Sequence, residues 1–160
     1  MLDRTALNHP WLKQIEGPLF LQQFPRRASD AELVEMLDCV ERLVFSMRSP
    51  YAWIVDLNGV MAASASQRRL FSEHEDRTKE HDAKLNAGAA LLSRSAITTG
   101  IITAVFWLSK PSYPTKVFSD VREGETWART QLKDRGVEIS LEPKLSMQML
   151  ILGDSNRPRT

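Results

Sequence analysis

The sequence predicts an α/β domain: a mixed, mostly parallel sheet flanked by about four helices. Three observations carry that reading. Short apolar runs at residues 18–24, 51–57, 87–92 and 113–118 alternate with longer segments of helical periodicity. The helical segments open on capping residues and close on proline or glycine. Strand and helix strictly alternate, which implies parallel strands joined by right-handed crossovers.

Each element has its own warrant. In the first strand Leu19 and Leu21 alternate with Phe20 and Gln22. Residues 7–15 before it fit an edge strand broken at Pro10. Ser29-Asp30-Ala31-Glu32 is a capping box, and the helix it opens carries Leu33, Val34, Leu37, Val40, Leu43 and Val44 on one face. Ser49-Pro50 stops it. The nearly continuous apolar run 51–57 reads as a central strand covered on both faces, ended by the Asn58-Gly59 turn. From about 65 to 85, Leu70, Phe71, His74, Thr78, His81 and Leu85 fall in one narrow arc, and charged residues, Asp82 among them, take the rest. Residues 87–92 form a buried strand of small side chains. Ser95 caps a helix that Lys110-Pro111 stops. Pro114 weakens the strand at 113–118. Asp120-Val121-Arg122-Glu123 resembles a second capping box, and its helix ends at Gly136.

The 160 residues are 42% hydrophobic and 26% charged, a globular composition organised as one domain over residues 1–136 with its core at about 15–136. Twenty-one Lys and Arg against twenty Asp and Glu leave a net charge of +1, which argues against a dedicated nucleic-acid binder. Cys39 is the single cysteine, so neither an internal disulfide nor a cysteine-based zinc site is available. No run of eighteen apolar residues offers a membrane span, and residues 1–10 do not read as a signal peptide, so a cytoplasmic protein is expected. Residues 137–160 form an extension. Its apolar part, 145–152, reads as an extra strand, an arm exchanged with a second subunit, a docking segment, or a wrap on its own domain.

The segment Val55-Asp56-Leu57-Asn58-Gly59-Val60-Met61-Ala62-Ala63-Ser64-Ala65-Ser66 resembles the signature of the STAS domain, the family of the anti-sigma-factor antagonists. Residues 100–118, with Thr103-Ala104-Val105-Phe106-Trp107-Leu108 and Tyr113-Pro114, and the later Glu123 to Trp127-Ala128, resemble more specifically a bacterial group of STAS-like proteins of unassigned role. The antagonists carry an Asp-Ser pair whose serine is phosphorylated. Here Ser64 and Ala65 stand at those two positions, followed by Ser66. The resemblance therefore implies the fold and a protein-binding habit, and leaves Ser64 and Ser66 as the relocated candidates for phosphorylation. A phosphate at that helix start would meet unpaired N–H groups. Ser64-x-x-Gln67 is equally an ordinary capping box.

The helix at 96–108 is apolar most of the way round, with Ile97, Ile101, Val105 and Leu108 in one stripe and Ile102 and Phe106 beside it. It is either deeply buried or a contact surface, with a homodimer the simplest use of the latter. The expected interface combines Thr98, Ile102, Phe106 and Trp107 with Arg68 and Arg69 at the start of the preceding helix. His74 and His81, seven apart, lie too far along one helix to share a metal directly. Asp56 most simply accepts the N–H groups of the following turn, and Cys39 is a core residue. No phosphate-cradling glycine loop and no Gly-x-Ser-x-Gly motif occurs, and nothing calls for a metal or cofactor.

Three functions follow as expectations. The first is a non-enzymatic, cytoplasmic binding module that self-associates or modulates a partner protein. The second is a small-molecule or lipid carrier, because the STAS-like fold is similar to that of CRAL-TRIO lipid-transfer domains; the length of the chain counts against room for a lipid cavity. The third, an enzyme using Asp56, His74 and His81, has the least support.

Overall fold

The computed structural model describes residues 2–150. The elements run β1 (Leu12–Glu16), β2 (Leu19–Gln23), α1 (Asp30–Ser46), β3 (Tyr51–Asp56), α2 (Ala65–Leu85), β4 (Asn86–Leu92), α3 (Ala96–Leu108), β5 (Thr115–Phe118) and α4 (Val121–Asp134), after a 3₁₀ turn at Arg4–Asn8. The chain is thus α/β around one five-stranded mixed sheet.

Local chemistry sets the boundaries. Ser29 and Ser64 each accept the N–H three residues on, while Glu32 and Gln67 reach back to the cap N–H, completing two of the three predicted boxes; at Asp120 only the cap half forms. Ser95 caps α3 through the N–H groups of Ile97 and Thr98. Asp120 caps α4 through those of Arg122 and Glu123. Gly136, at φ 85°, takes the left-handed turn that ends α4. Pro114 falls just before β5, where its carbonyl still accepts the N–H of Ala89. The ambiguous N-terminal stretch resolves in the same way: β1 starts after Pro10 and pairs antiparallel with β2 as the sheet edge.

The strands lie side by side in chain order, and β2 to β5 are parallel. Right-handed crossovers that all step in one direction put α1, α2 and α3 on the same face. α4 follows the last strand and covers the other face. Two cores result. One joins Phe20, Trp53, Ala89 and Leu91 to α1 and to the inner side of α3. The other joins Leu19, Leu21, Ala52, Ile54, Ala90 and Leu92 to α4 and to Leu150.

The two faces are packed at different depths. α4 presses directly on β3 and β4, whereas the backbones of α1, α2 and α3 stand farther from the strands. Glycines permit the first approach. The ring of Trp127 sits where a side chain on Gly88 would be, and Leu92 reaches the space beside Gly124. On the other face Phe20 and Trp53 are large spacers and Ala89 is small. Space is left between sheet and helices.

Of the readings left open for 145–152, the strand does not form in the described part. Residues 147–150 are helical, Leu150 is buried under α4's face of the sheet, and Gln23 Nε2 donates to its carbonyl at 3.0 Å. Residues 151–152 and the polar end of that extension lie outside the described residues. What holds the segment is charge. Glu125 and Arg129, both 0% exposed, pair at 2.7 Å on α4. Glu125 also accepts the backbone N–H groups of Lys144 and Leu145, and Arg129 donates to the Ser140 carbonyl at 2.9 Å. Glu16 on β1 approaches Arg129 at 3.4 Å and pairs with Lys144.

Among the described residues no helix is long and apolar enough to cross a membrane.

Candidate functional site

The space beneath α1, α2 and α3 is a cavity of about 160 Å³. That matches the roughly 150 Å³ that accommodates benzene in an engineered apolar site. Its floor is the alternate-residue face of the sheet. Register puts Phe20, Trp53, Ala89 and Thr115 in one row across four strands, and Gln22, Val55, Leu91 and Val117 in the next. Ala89, between Trp53 and Thr115, is the low point of the first row. Leu37, Val40 and Val44 on α1, Phe71 on α2 and Ile101, Ile102, Val105 and Phe106 on α3 supply the walls. The rim lies at the carboxyl ends of the strands, where Pro25, Arg26, Ala62 and Ala63 reach solvent.

The opposite end is polar. Phe71, Glu75, Thr78 and Asp82 form a stripe on α2 at spacings of four, three and four, one face of a helix. Glu75 and Asp82 reach the cavity with Tyr113 and Asn86. The Tyr113 hydroxyl donates to Glu75 Oε1 at 2.8 Å. The Tyr51 hydroxyl donates to Asp82 Oδ1 at 2.5 Å, and Asn86 Nδ2 approaches the same oxygen at 3.4 Å. Burial pushes the Glu75 carboxyl above its ordinary range; His74 and the Tyr113 hydrogen bond oppose that shift, and the neighbouring Asp82 and Asp76 add to it. Burial likewise drives both tyrosines up, and the adjacent carboxylates reinforce it.

His74, 8% exposed, lies on the α1 side of this end, its Nδ1 3.9 Å from Glu41. His74 and then Arg77 hold the Glu41 carboxyl down at about 2. His81 is sandwiched by aromatic rings, Phe45 edge-on and Tyr51 stacked. The two histidines thus occupy one helix face and separate contacts. Asp56 projects to the other side of the sheet. It accepts Asn58 N and Nδ2 at 3.1 Å and Gln23 Nε2 at 3.1 Å, which is the turn-holding role. The structure therefore does not bring Asp56 together with either histidine. Among the described residues no three His, Cys, Asp or Glu side chains converge as a metal site requires. Cys39 is buried and free.

The expected interface divides. Thr98 is 1% exposed and donates to the Val60 carbonyl at 2.9 Å, and Ile102 is buried above the cavity. Phe106 is half-buried and also faces inward. All three are thus corrected from outer contacts to inward-facing residues, Ile102 and Phe106 as cavity wall and Thr98 as a buried tie to Val60. The inner stripe of α3 is 98, 101, 102, 105 and 106, and Ile97 and Leu108, at the two helix ends, drop out of the stripe read off the sequence because both are exposed. Trp107 points outward, 87% exposed, next to exposed Leu108, while exposed Ile97 lies at the other end of the helix. Arg68 donates to the Ala63 carbonyl at 2.6 Å, and Arg69 is exposed. They flank the start of α2, whereas Ser109, two residues past Trp107, binds Asp76 at 2.7 Å, two turns further along. Arg68 and Arg69 therefore do not share a patch with Trp107. Ser64 is the cap of α2, and exposed Ser66 hydrogen-bonds Asp30 at the start of α1.

The polar end is what sequence reading missed. Charge alone puts Asp82, and with it Glu75, on the water face of α2. The 71-75-78-82 spacing was the available signal, since it runs beside the apolar arc. Nothing in the sequence pairs Tyr51 or Tyr113 with them, because those contacts span 31 and 38 residues.

The chain belongs to a family described as a domain of unknown function, DUF7793, whose profile matches residues 28–132, from just before α1 to near the end of α4. No curated protein and no solved structure matches the chain.

Proposed function

We propose that this member of the family is a cytoplasmic, non-enzymatic binding module of STAS-like build, and that the cavity beneath α3 holds a small apolar molecule. The observation that carries the reading is the cavity of about 160 Å³, open at its rim, walled by apolar side chains from three helices and floored by the sheet. The consecutive β2 to β5 winding, with three helices on one face, supports the STAS-like assignment and the likeness to CRAL-TRIO domains. The objection from chain length loses force once α4 is seen to pack so closely on the other face.

Ala89→Leu fills the low point of the floor. Chemical-shift titration with toluene should move the amides of Trp53, Ala89 and Leu91 in the native protein and leave them still in Ala89→Leu, whose melting temperature should not fall. Toluene leaving every cavity amide of the native protein unmoved would remove this function.

A second reading, self-association through α3, is favoured by its outer surface. Trp107 is 87% exposed, and the thirteen residues of α3 include no charged side chain. A two-fold pairing sets this uncharged face against itself, so no charge is desolvated. Light scattering should give a dimer that Trp107→Glu converts to a monomer. A native protein that is monomeric at micromolar concentration excludes it.

A further inference from the structure

We infer that residues 137–150 form a detachable strap, which opens as one unit while the α/β body stays folded and so uncovers the apolar surface of β2 beside α4. The strap lies on the face of the sheet opposite the cavity and is independent of it.

Its attachment is unlike that of any strand. Residues 137–146 have no regular structure, and 147–150 are helical. Past Val137, among the described residues, no backbone–backbone hydrogen bond joins the segment to the body. Its polar ties are made by body side chains. Glu125 accepts the N–H groups of Lys144 and Leu145 at 2.8 and 2.6 Å, Arg129 donates to the Ser140 carbonyl at 2.9 Å, and Gln23 donates to the Leu150 carbonyl at 3.0 Å. Glu16 pairs with Lys144. The clasp is also incompletely satisfied when closed: Arg129 has no exposed surface, yet its Nη2 has no hydrogen-bond partner among the described residues.

Beneath the strap the sheet is apolar. α4 packs on β3 and β4 and reaches β5. Leu19 and Leu21 of β2, both buried, belong to the same cluster, and Val137, Ile139, Leu145, Met147 and Leu150 pack against it there. The strap thus completes on β2 the cover that α4 provides on its neighbours. Gly136, at φ 85° and with open space where a side chain would stand, is the pivot at its start. A segment with few bonds, none of them part of a ladder, opens below the free energy of the whole fold. The chain therefore carries its own removable cover for a second apolar surface.

Hydrogen exchange of the full native chain, read amide by amide and corrected for intrinsic rates, tests this. Lys144, Leu145 and Leu150 should exchange at least tenfold faster than Ala52 and Ala89, whose N–H groups are bound to the Pro18 and Pro114 carbonyls. The three should share one dependence on urea, shallower than that of the two alanines. Leu43→Ala truncates the core of the opposite face, so it weakens the body equally with the strap open or closed. It should speed Ala52 and Ala89 more than tenfold and leave the three strap amides as they were. Strap amides that match the alanines in rate, or that speed up with them in Leu43→Ala, overturn the inference, since the segment then unfolds only with the rest. A urea dependence near zero overturns it too, because exchange then occurs without uncovering the apolar surface. The native-chain comparison decides even where Leu43→Ala fails to fold.

Discussion

Arg129→Met is expected to lower the unfolding free energy by about 3–5 kcal/mol, the cost of breaking a buried ion pair from one side. Arg129 and Glu125 have no exposed surface, so no water replaces the lost guanidinium. Glu125 would keep the N–H groups of Lys144 and Leu145 but lose the cation 2.7 Å away, and Glu16 would lose its partner at 3.4 Å. The Ser140 carbonyl would lose its donor. The effect reaches beyond α4, because these bonds clasp residues 140–145 to the sheet. Urea unfolding measures it, and a change below about 1 kcal/mol would place the pair among surface-like ion pairs instead.

Gly88→Val should destabilise by about 1–3 kcal/mol through overpacking. A Cβ at this position would lie 2.9 Å from Trp127 Cη2 and 3.3 Å from Gln131 Cγ. The indole is rigid and itself packed against Phe118. Relief requires α4 to move off the strands, and Leu132 and Ala128, both fully buried, move with it. Thermal unfolding of the variant against the native chain reads the loss; an unchanged midpoint would mean that α4 has slack the packing does not show. The α1–α3 face should be spared, so toluene titration of the variant should still report the cavity.

The order of elements was legible in the sequence because each boundary is local. Ser29 with Glu32, Ser64 with Gln67, Ser95, Asp120 and Gly136 act within a turn of themselves. The alternation of Leu19 to Leu21 with Phe20 likewise gives both faces of β2. The site was less legible. The apolarity of α3 is plain, but which residues face inward depends on how it docks on α2 and the Val60 loop, contacts distant in sequence that bury Thr98 and Ile102. Asp82 and Glu75 look solvated in a helix of mean hydropathy this low; only Tyr51 and Tyr113, brought from distant strands, make them interior groups. The clasp by Glu125 and Arg129 was missed for the same reason. An i,i+4 pair reads as surface charge until the following segment folds back over it.

Because β2 to β5 are laid down side by side in the order of synthesis, each wound unit adds one plank to the floor and one beam above it. The roof over the chamber comes last. α3 is tied down near its two ends, by Thr98 to Val60 and by Ser109 to Asp76, and between them lies over the cavity against α2. Were that span to lift, the strands of the floor and the helices at its sides could stay as they are.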